Sequence, residues 1–285
     1  MLSRAQALEH ILQRVTIADP ETVPLPDAHD RVLRAAQESR LMLPPWDNSA
    51  MDGFAVRAAD VRGAAADAPV CLRVVDDVPA GGFPARAVGA GEAARVMTGA
   101  PIPEGADGVI RLEHTSAWQQ PDRPTEIDVL RDDDAGRNVR LRGEDYGAGD
   151  VLIEAGRVLT PARIGLLAAV GLYDVPVRRH PVVAILATGD ELAAADRFAD
   201  VRAGRRIADS NSPALAAAVH AAGGIARPLG IARDNTTDIA ARLALARDAD
   251  MLLTTAGASV GDHDLVKDAL DGMDGFYFER VQTRH

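Results

Sequence analysis

Pro181-Val182-Val183-Ala184-Ile185-Leu186-Ala187 runs without a polar residue into Thr188-Gly189-Asp190-Glu191. A short run of small and branched apolar residues, closed by a Gly-containing turn, suits a strand buried on both faces. Downstream the pattern alternates. Ser212-Pro213 opens a helical stretch over 213–222 with Ser212 as its cap, and Gly223-Gly224 closes it. A strand over 225–230, a helix over 237–247 and a third strand over 250–255 follow. A Gly-rich loop, Ala256-Gly257-Ala258-Ser259-Val260-Gly261-Asp262-His263-Asp264, then leads to a short helix over 264–270. Alternation of this kind predicts a mostly parallel sheet in three layers, with helices on both faces.

Upstream the texture differs. Residues 3–17 carry Ala7, Leu8, Ile11, Leu12 and Val15 at helical spacing. Prolines 20, 24 and 26 end that pattern, and a second helix is expected over 27–38 with Asp27 as N-cap. Leu43-Pro44-Pro45-Trp46 is extended, because the residue before a proline avoids the helical region. Between 47 and 148, β-like pieces at 70–75, 93–97, 108–112 and 126–130 alternate with Gly, Pro and Asp turns. They predict a small all-β module, barrel or sandwich. Gly147-Ala148-Gly149-Asp150 is its exit, and Thr160-Pro161 starts a helix over 161–170. Asp132-Asp133-Asp134 is expected to be a solvated turn.

Composition sets the limits. A chain of 285 residues suggests two or three domains. With 47% apolar and 26% charged residues it can bury a core, which excludes disorder of the whole. Aromatics are only 4%, so the core is aliphatic. A net charge of −11 opposes a phosphodiester backbone, and no nucleic-acid partner is expected. No apolar run approaches the roughly 20 residues that span a bilayer, and the opening residues lack a secretory apolar core. Cys71 stands alone, so neither an intrachain disulfide nor a cysteine metal site forms. A soluble cytoplasmic protein is the expectation.

The chemistry concentrates at two strand ends, Thr188-Gly189-Asp190-Glu191 and the loop 256–264. In open α/β sheets, ligands bind beyond the carboxyl ends of strands. Glycines there turn backbone N–H groups toward an anion. Carboxylates alone would repel that anion, whereas Mg²⁺ bridges carboxylates and phosphates. The pattern therefore predicts a phosphorylated ligand with Mg²⁺, against the plainer reading of turns and helix caps. Asp209-Ser210-Asn211-Ser212-Pro213 enters a helix at the same sheet edge. Arg137-Asn138-Val139-Arg140-Leu141-Arg142-Gly143-Glu144-Asp145 offers local positive charge or a surface ion-pair network. Lys267 is the only lysine and follows the Gly-rich loop. His263 has no partner at zinc-ligand spacing, and neither a nucleophile elbow nor a phosphate-loop lysine motif occurs.

Six segments in order carry a resemblance. They are Pro44 to Val56 (PPWDNSAMDGFAV), Met97 to Pro103, Asn138 to Asp145, Thr188 to Leu192, Asp209 to Pro213, and Ala258 to Asp264. Together they resemble the molybdopterin molybdenumtransferase family, MoeA, whose relatives include the gephyrin E domain. The resemblance implies a multidomain α/β plus β fold. A three-layer MogA-like molybdopterin-binding domain would comprise 1–17 and 179–285, and an inserted β-rich domain 46–148. An elongated linking and dimerisation domain would comprise 18–45 and 149–178. It implies molybdenum insertion from molybdate into adenylyl-molybdopterin, with Mg²⁺-dependent release of AMP, in a homodimer that follows a MogA-like adenylyltransferase. Asp52, Asp145, Glu191, Asp234 and Asp264 match the functional acids, Glu191 and Asp264 also as metal ligands. Thr98, Arg140, Thr188, Gly189, Asp190, Ser210, Asn211, Gly257, Ser259, Gly261 and Lys267 match or flank the substrate site.

Two departures stand out. Ala256-Gly257 replaces a Gly-Gly pair, and Arg280 and Arg284 stand where the family carries lysines. The sequence stops at His285, before the family's Pro-Gly turn and C-terminal β domain. A fragment and a protein lacking part of the site both remain open, as does a non-catalytic dimeric pterin- or partner-binding module. A different Mg²⁺-dependent nucleotide enzyme sharing only the β/α domain does not account for the motifs before residue 150.

Overall fold

The computed structural model describes residues 2–119, 124–255 and 265–270. The chain forms two compact units, one of residues 1–35, 155–164 and 174–285, the other of 36–154 and 165–173. It opens with α1 (Arg4–Leu12), whose Ser3 and Gln6 form a reciprocal capping box. The helix stops short of residue 17. None of its residues is buried, and Leu8, Ile11, Leu12, Val15 and Ile17 are all exposed. Without packing to support them, Val15-Thr16-Ile17 gain little from helix, since β-branched side chains lose rotamer freedom there.

The expected helix over 27–38 does not form. β1 (Pro20–Pro24) pairs antiparallel with Asp174–Arg178, and only a single tight turn, Leu25–Asp27, follows it. Asp30 takes a positive φ of 59°. Leu33 N–H then donates to the Arg157 carbonyl and Arg34 N–H to that of Pro176. These long-range bonds satisfy the backbone groups that a helix would have paired locally. Arg31 is buried and donates to the Arg178 carbonyl and the Glu21 carboxylate.

The second unit is built on a five-stranded sheet. Its strands are β2 (Gly53–Val56), β3 (Val70–Val78), β4 (Glu92–Val96), β5 (Gly108–Arg111) and β6 (Glu126–Val129), in the order β5-β2-β4-β3-β6. Every pairing is antiparallel except β3 with β4. β2 is buried along its whole length. Phe54 and Val56 face Leu72, Ile110 and Ile127, while Ala55 faces Val78, Val96 and Val109. Gly53 is fixed by close approach, since a Cβ there would lie 2.1 Å from the Ile110 carbonyl oxygen. The acidic run is not a solvated turn throughout. Asp134 is 1% exposed, accepts two 2.8 Å hydrogen bonds from the Arg111 guanidinium and lies 3.0 Å from His114. Nothing at positions 132–134 distinguishes it; strand pairing carries Arg111 to it.

The chain continues through α2 (Pro161–Ala169), where Thr160 Oγ1 accepts from Arg163 N–H at 3.4 Å, and β7 (Asp174–Arg178), the partner of β1. β8 (Val182–Thr188) then enters the parallel sheet between β9 (Ile225–Ala232) and β10 (Met251–Thr255). α3 (Asn211–Ala221) packs on one face, where Val183 and Ile185 meet Val219. α4 (Thr236–Ala244) and α5 (Leu265–Leu270) cover the other, where Ala184 and Leu186 meet Ile239, Leu243 and Val266. Alternate residues of one strand thus fill two cores, giving the expected three layers. α3 starts at Asn211, and Ser212 is not its cap. Ser212 instead donates its N–H to Asp209 Oδ1 at 3.1 Å. α4 is capped by Asn235, whose Oδ1 accepts from Asp238 N–H at 2.8 Å.

Candidate functional site

Residues beyond the carboxyl end of β8 form a tight turn. Thr188 is buried and Gly189 has a φ of 145°, closed to most side chains. A Cβ on Gly189 would lie 2.4 Å from Glu191 Oε2, so the Glu191 carboxylate rests directly against the glycine. Asp190 N–H donates to Asp234 Oδ2 at 3.2 Å, which ties the loops after β8 and β9 together. Arg206 Nη1 donates to the carbonyls of Asp190 (2.5 Å) and Leu192 (3.0 Å), bracing the turn from behind. Among the described residues the carboxylates of Asp190 and Glu191 have no hydrogen-bond or ion-pair partner.

Two hollows open on this rim. One, of about 190 Å³, is lined by Glu191, Asp209, Ser210, Asn211 and Thr255. The other, of about 520 Å³, reaches Gly189 and Asp190 and carries the guanidinium-bearing residues Arg197, Arg206, Arg233 and Arg242. Those arginines supply local positive charge against the −11 background. Arg197, Arg206 and Arg242 carry no motif that marks them in the sequence, because no fixed spacing relates them. Gly257, Ser259, Gly261 and Asp264 lie outside the described residues, as does the side chain of Lys267, which sits on α5.

The β-rich unit gathers the remaining positions. Asp52 Oδ1 accepts both the Thr98 hydroxyl and the Thr98 N–H at 2.7 Å. That hydroxyl, then the N–H, hold the Asp52 carboxyl below its ordinary range against a smaller opposing effect of burial. Arg140 donates to Glu144 at 2.9 Å and to Asp145 at 2.6 Å. Glu144 is lowered first by the Leu141 N–H and then by Arg140. One short strand joins the two groups: Asn48–Ser49 pairs with Val139–Arg140, and Ser49 exchanges backbone hydrogen bonds with Gly99 and Ala100. Asp52, Thr98, Arg140 and Asp145 therefore share one neighbourhood. Glu144, absent from the expected set, is a second carboxylate on Arg140, bonded through Nε.

Residues 2–171 match the family model described as the MoeA N-terminal region (domain I and II). The chain belongs to the MoeA family. Residues 184–282 match a second model, a probable molybdopterin binding domain. Similar proteins include molybdopterin molybdenumtransferase 2 of Mycobacterium tuberculosis, 39% identical over 256 residues, covering 90% of this chain and 61% of the relative. The molybdopterin molybdenumtransferase of a Nostoc species is 41% identical over 253 residues, covering 88% and 56%. A crystal structure of the molybdopterin biosynthesis moeA protein from Pyrococcus horikoshii superposes with a TM-score of 0.80 at 33% identity, over 90% of this chain and 66% of that one. The chain thus spans about 60% of the length of the curated MoeA relatives it matches. In MoeA terms, the rim at Gly189–Glu191 opens the second matched region. The Asp52–Thr98 and Arg140–Asp145 groups lie in the first. No helix of the described residues is long and apolar enough to cross a membrane.

Proposed function

We propose that the chain performs molybdenum insertion in molybdenum cofactor synthesis: Mg²⁺-dependent hydrolysis of adenylyl-molybdopterin, transfer of molybdate to the dithiolene and release of AMP. The observation that carries this reading is the Glu191 carboxylate folded against Gly189 at the end of β8, with no hydrogen-bond or ion-pair partner among the described residues. An acid held open beside an anion-suited turn suits a ligand better than it suits stability.

Among the described residues no three His, Cys, Asp or Glu side chains cluster as a metal site. Mg²⁺ does not require such a cage, because it uses one or two carboxylates with substrate phosphates and waters. Glu191 fits that donor set, and Asp264 is proposed as the second carboxylate. When bound, the ion neutralises charge on the phosphoanhydride oxygens. The chain's own residues orient the substrate. Gly189, lacking a Cβ, leaves room for the Glu191 carboxylate beside the turn, and Arg206 keeps the turn from recoiling. Water oxygen bonds to phosphorus and gives up a proton to solvent, the bridging P–O bond breaks, and AMP leaves with one phosphate while the other stays on the pterin side chain. A homodimer, a cytoplasmic setting and a MogA-like adenylyltransferase as the upstream partner belong to the same proposal.

The test supplies adenylyl-molybdopterin, molybdate and Mg²⁺ and measures AMP by chromatography. AMP release that stops without Mg²⁺ supports the reading. No release, under conditions where a longer relative turns over, rejects it, and tight pterin-nucleotide binding without release favours a non-catalytic pterin-binding module.

A further inference from the structure

Only two tryptophans and five phenylalanines occur in the chain, and one of each meets at the surface of the β-rich unit. Trp46 and Phe83 stand edge to face, with ring centroids 5.4 Å apart and planes at 65°. Trp46 is 39% exposed and Phe83 69%. Leaving such rings in water forgoes burial that stabilises by about 1.5–3 kcal/mol per large side chain. Yet the pair is held in place. Trp46 Nε1 donates to the Gly99 carbonyl at 3.3 Å. The loop bearing Phe83 is turned by Gly81, at a φ of 78°, and by the Gly82 N–H bonded to the Pro79 carbonyl.

The residue before Gly99 is Thr98, which grips Asp52 Oδ1 with its two 2.7 Å bonds. Asp52 Oδ2 accepts no hydrogen bond among the described residues. Two consecutive residues of one turn therefore anchor an exposed ring pair and a carboxylate with one oxygen free. Aromatic faces stack flat heterocycles, at about 1–3 kcal/mol per ring. A free carboxylate oxygen accepts N–H groups and rejects lone pairs. A 2-amino-4-oxopyrimidine ring offers adjacent N–H and NH₂ donors on one edge. Adenine presents its amino group beside a ring nitrogen that only accepts, and a carboxylate repels it.

We infer that Trp46 and Phe83 form a stacking platform for the pterin ring of the substrate, with Asp52 Oδ2 accepting from its amino edge. This deepens the proposed function and rests on it. The test titrates the full chain with hydroxymethylpterin and separately with AMP, by equilibrium dialysis. The platform predicts about tenfold weaker pterin binding in Phe83→Ala and Trp46→Ala, near-normal binding in Trp46→Phe, and AMP affinity within about twofold of wild type in all three. Phe83 is exposed enough that its truncation leaves the fold intact, which melting curves check. Unchanged pterin affinity in Phe83→Ala and Trp46→Ala overturns the platform. A wild-type chain that binds AMP but no pterin overturns it too, while the nucleotide reading of the α/β rim stands. A chain that binds neither overturns both.

Discussion

Beside the five-stranded sheet Asp134 is buried against Arg111 and His114, whereas at the rim of the parallel sheet the Glu191 carboxylate has no hydrogen-bond or ion-pair partner among the described residues. The α/β unit repeats the contrast within itself. Asp250, at the amino end of β10, accepts from the Arg179 guanidinium and the Val182 N–H, and these bonds hold it at about 2. At the opposite end of the same sheet the Asp190 and Glu191 carboxylates accept no hydrogen bond among the described residues. Acids satisfied by the protein close the structure, and the acids left open beside the glycine turn are the ones proposed to meet a ligand. Neither sequence identity nor local charge density separates the two kinds.

The comparison breaks most visibly where packing is removed. Phe54 is fully buried at the centre of β2, and Phe54→Ala is expected to cost about 3–5 kcal/mol, read from the denaturant midpoint. A loss below about 1 kcal/mol would mean that the sheet does not depend on this strand. Glu191→Gln is expected to lower AMP release about a hundredfold, with the melting temperature moved by less than about 2 °C. A parallel fall in both would assign Glu191 to structure and remove the contrast.

Asp134→Asn is the mirror experiment. It leaves Arg111 without its counter-charge and should destabilise by about 2 kcal/mol, below the roughly 3–5 kcal/mol of a fully buried pair because Arg111 is partly exposed. Its pH dependence follows from the carboxyl group. Burial raises its pKa, but the Arg111 guanidinium and N–H and Asn138 outweigh that and hold it at about 2. A depressed folded-state pKa gives stability that is present above the ordinary value of 3.8 and lost as pH falls toward 2. Acid unfolding of the wild type between pH 4 and 2 should therefore be steeper than that of Asp134→Asn. The smallest effect tests a cap: Asn235→Ala removes the Asp238 N–H acceptor and should cost about 1 kcal/mol without altering pterin binding.

The parallel sheet was legible because Pro181 to Ala187 has only one stable use, burial on both faces. Its neighbours and helices followed from periodicity, and the rim from the glycine that ends the run. Helix boundaries slipped where caps compete. Ser212 looks like a cap, but Asp209 reaches the first turn instead. The helix expected over 27–38 failed because Leu33 and Arg34 find partners in Arg157 and Pro176, more than a hundred residues away. Pro45 to Val56 reads as a loop leading into a strand, and β2 is the strand at its end.

Sequence alone determined the alternation of strands and helices after residue 180, the three-layer class of that region and the acids at its strand ends, because these depend on residue type and short spacing. Tertiary structure alone decided which acids are neutralised. It set Arg111 on Asp134, Thr98 on Asp52 and, among the described residues, nothing on Glu191, since a carboxylate's role depends on what long-range pairing brings within 3 Å of it.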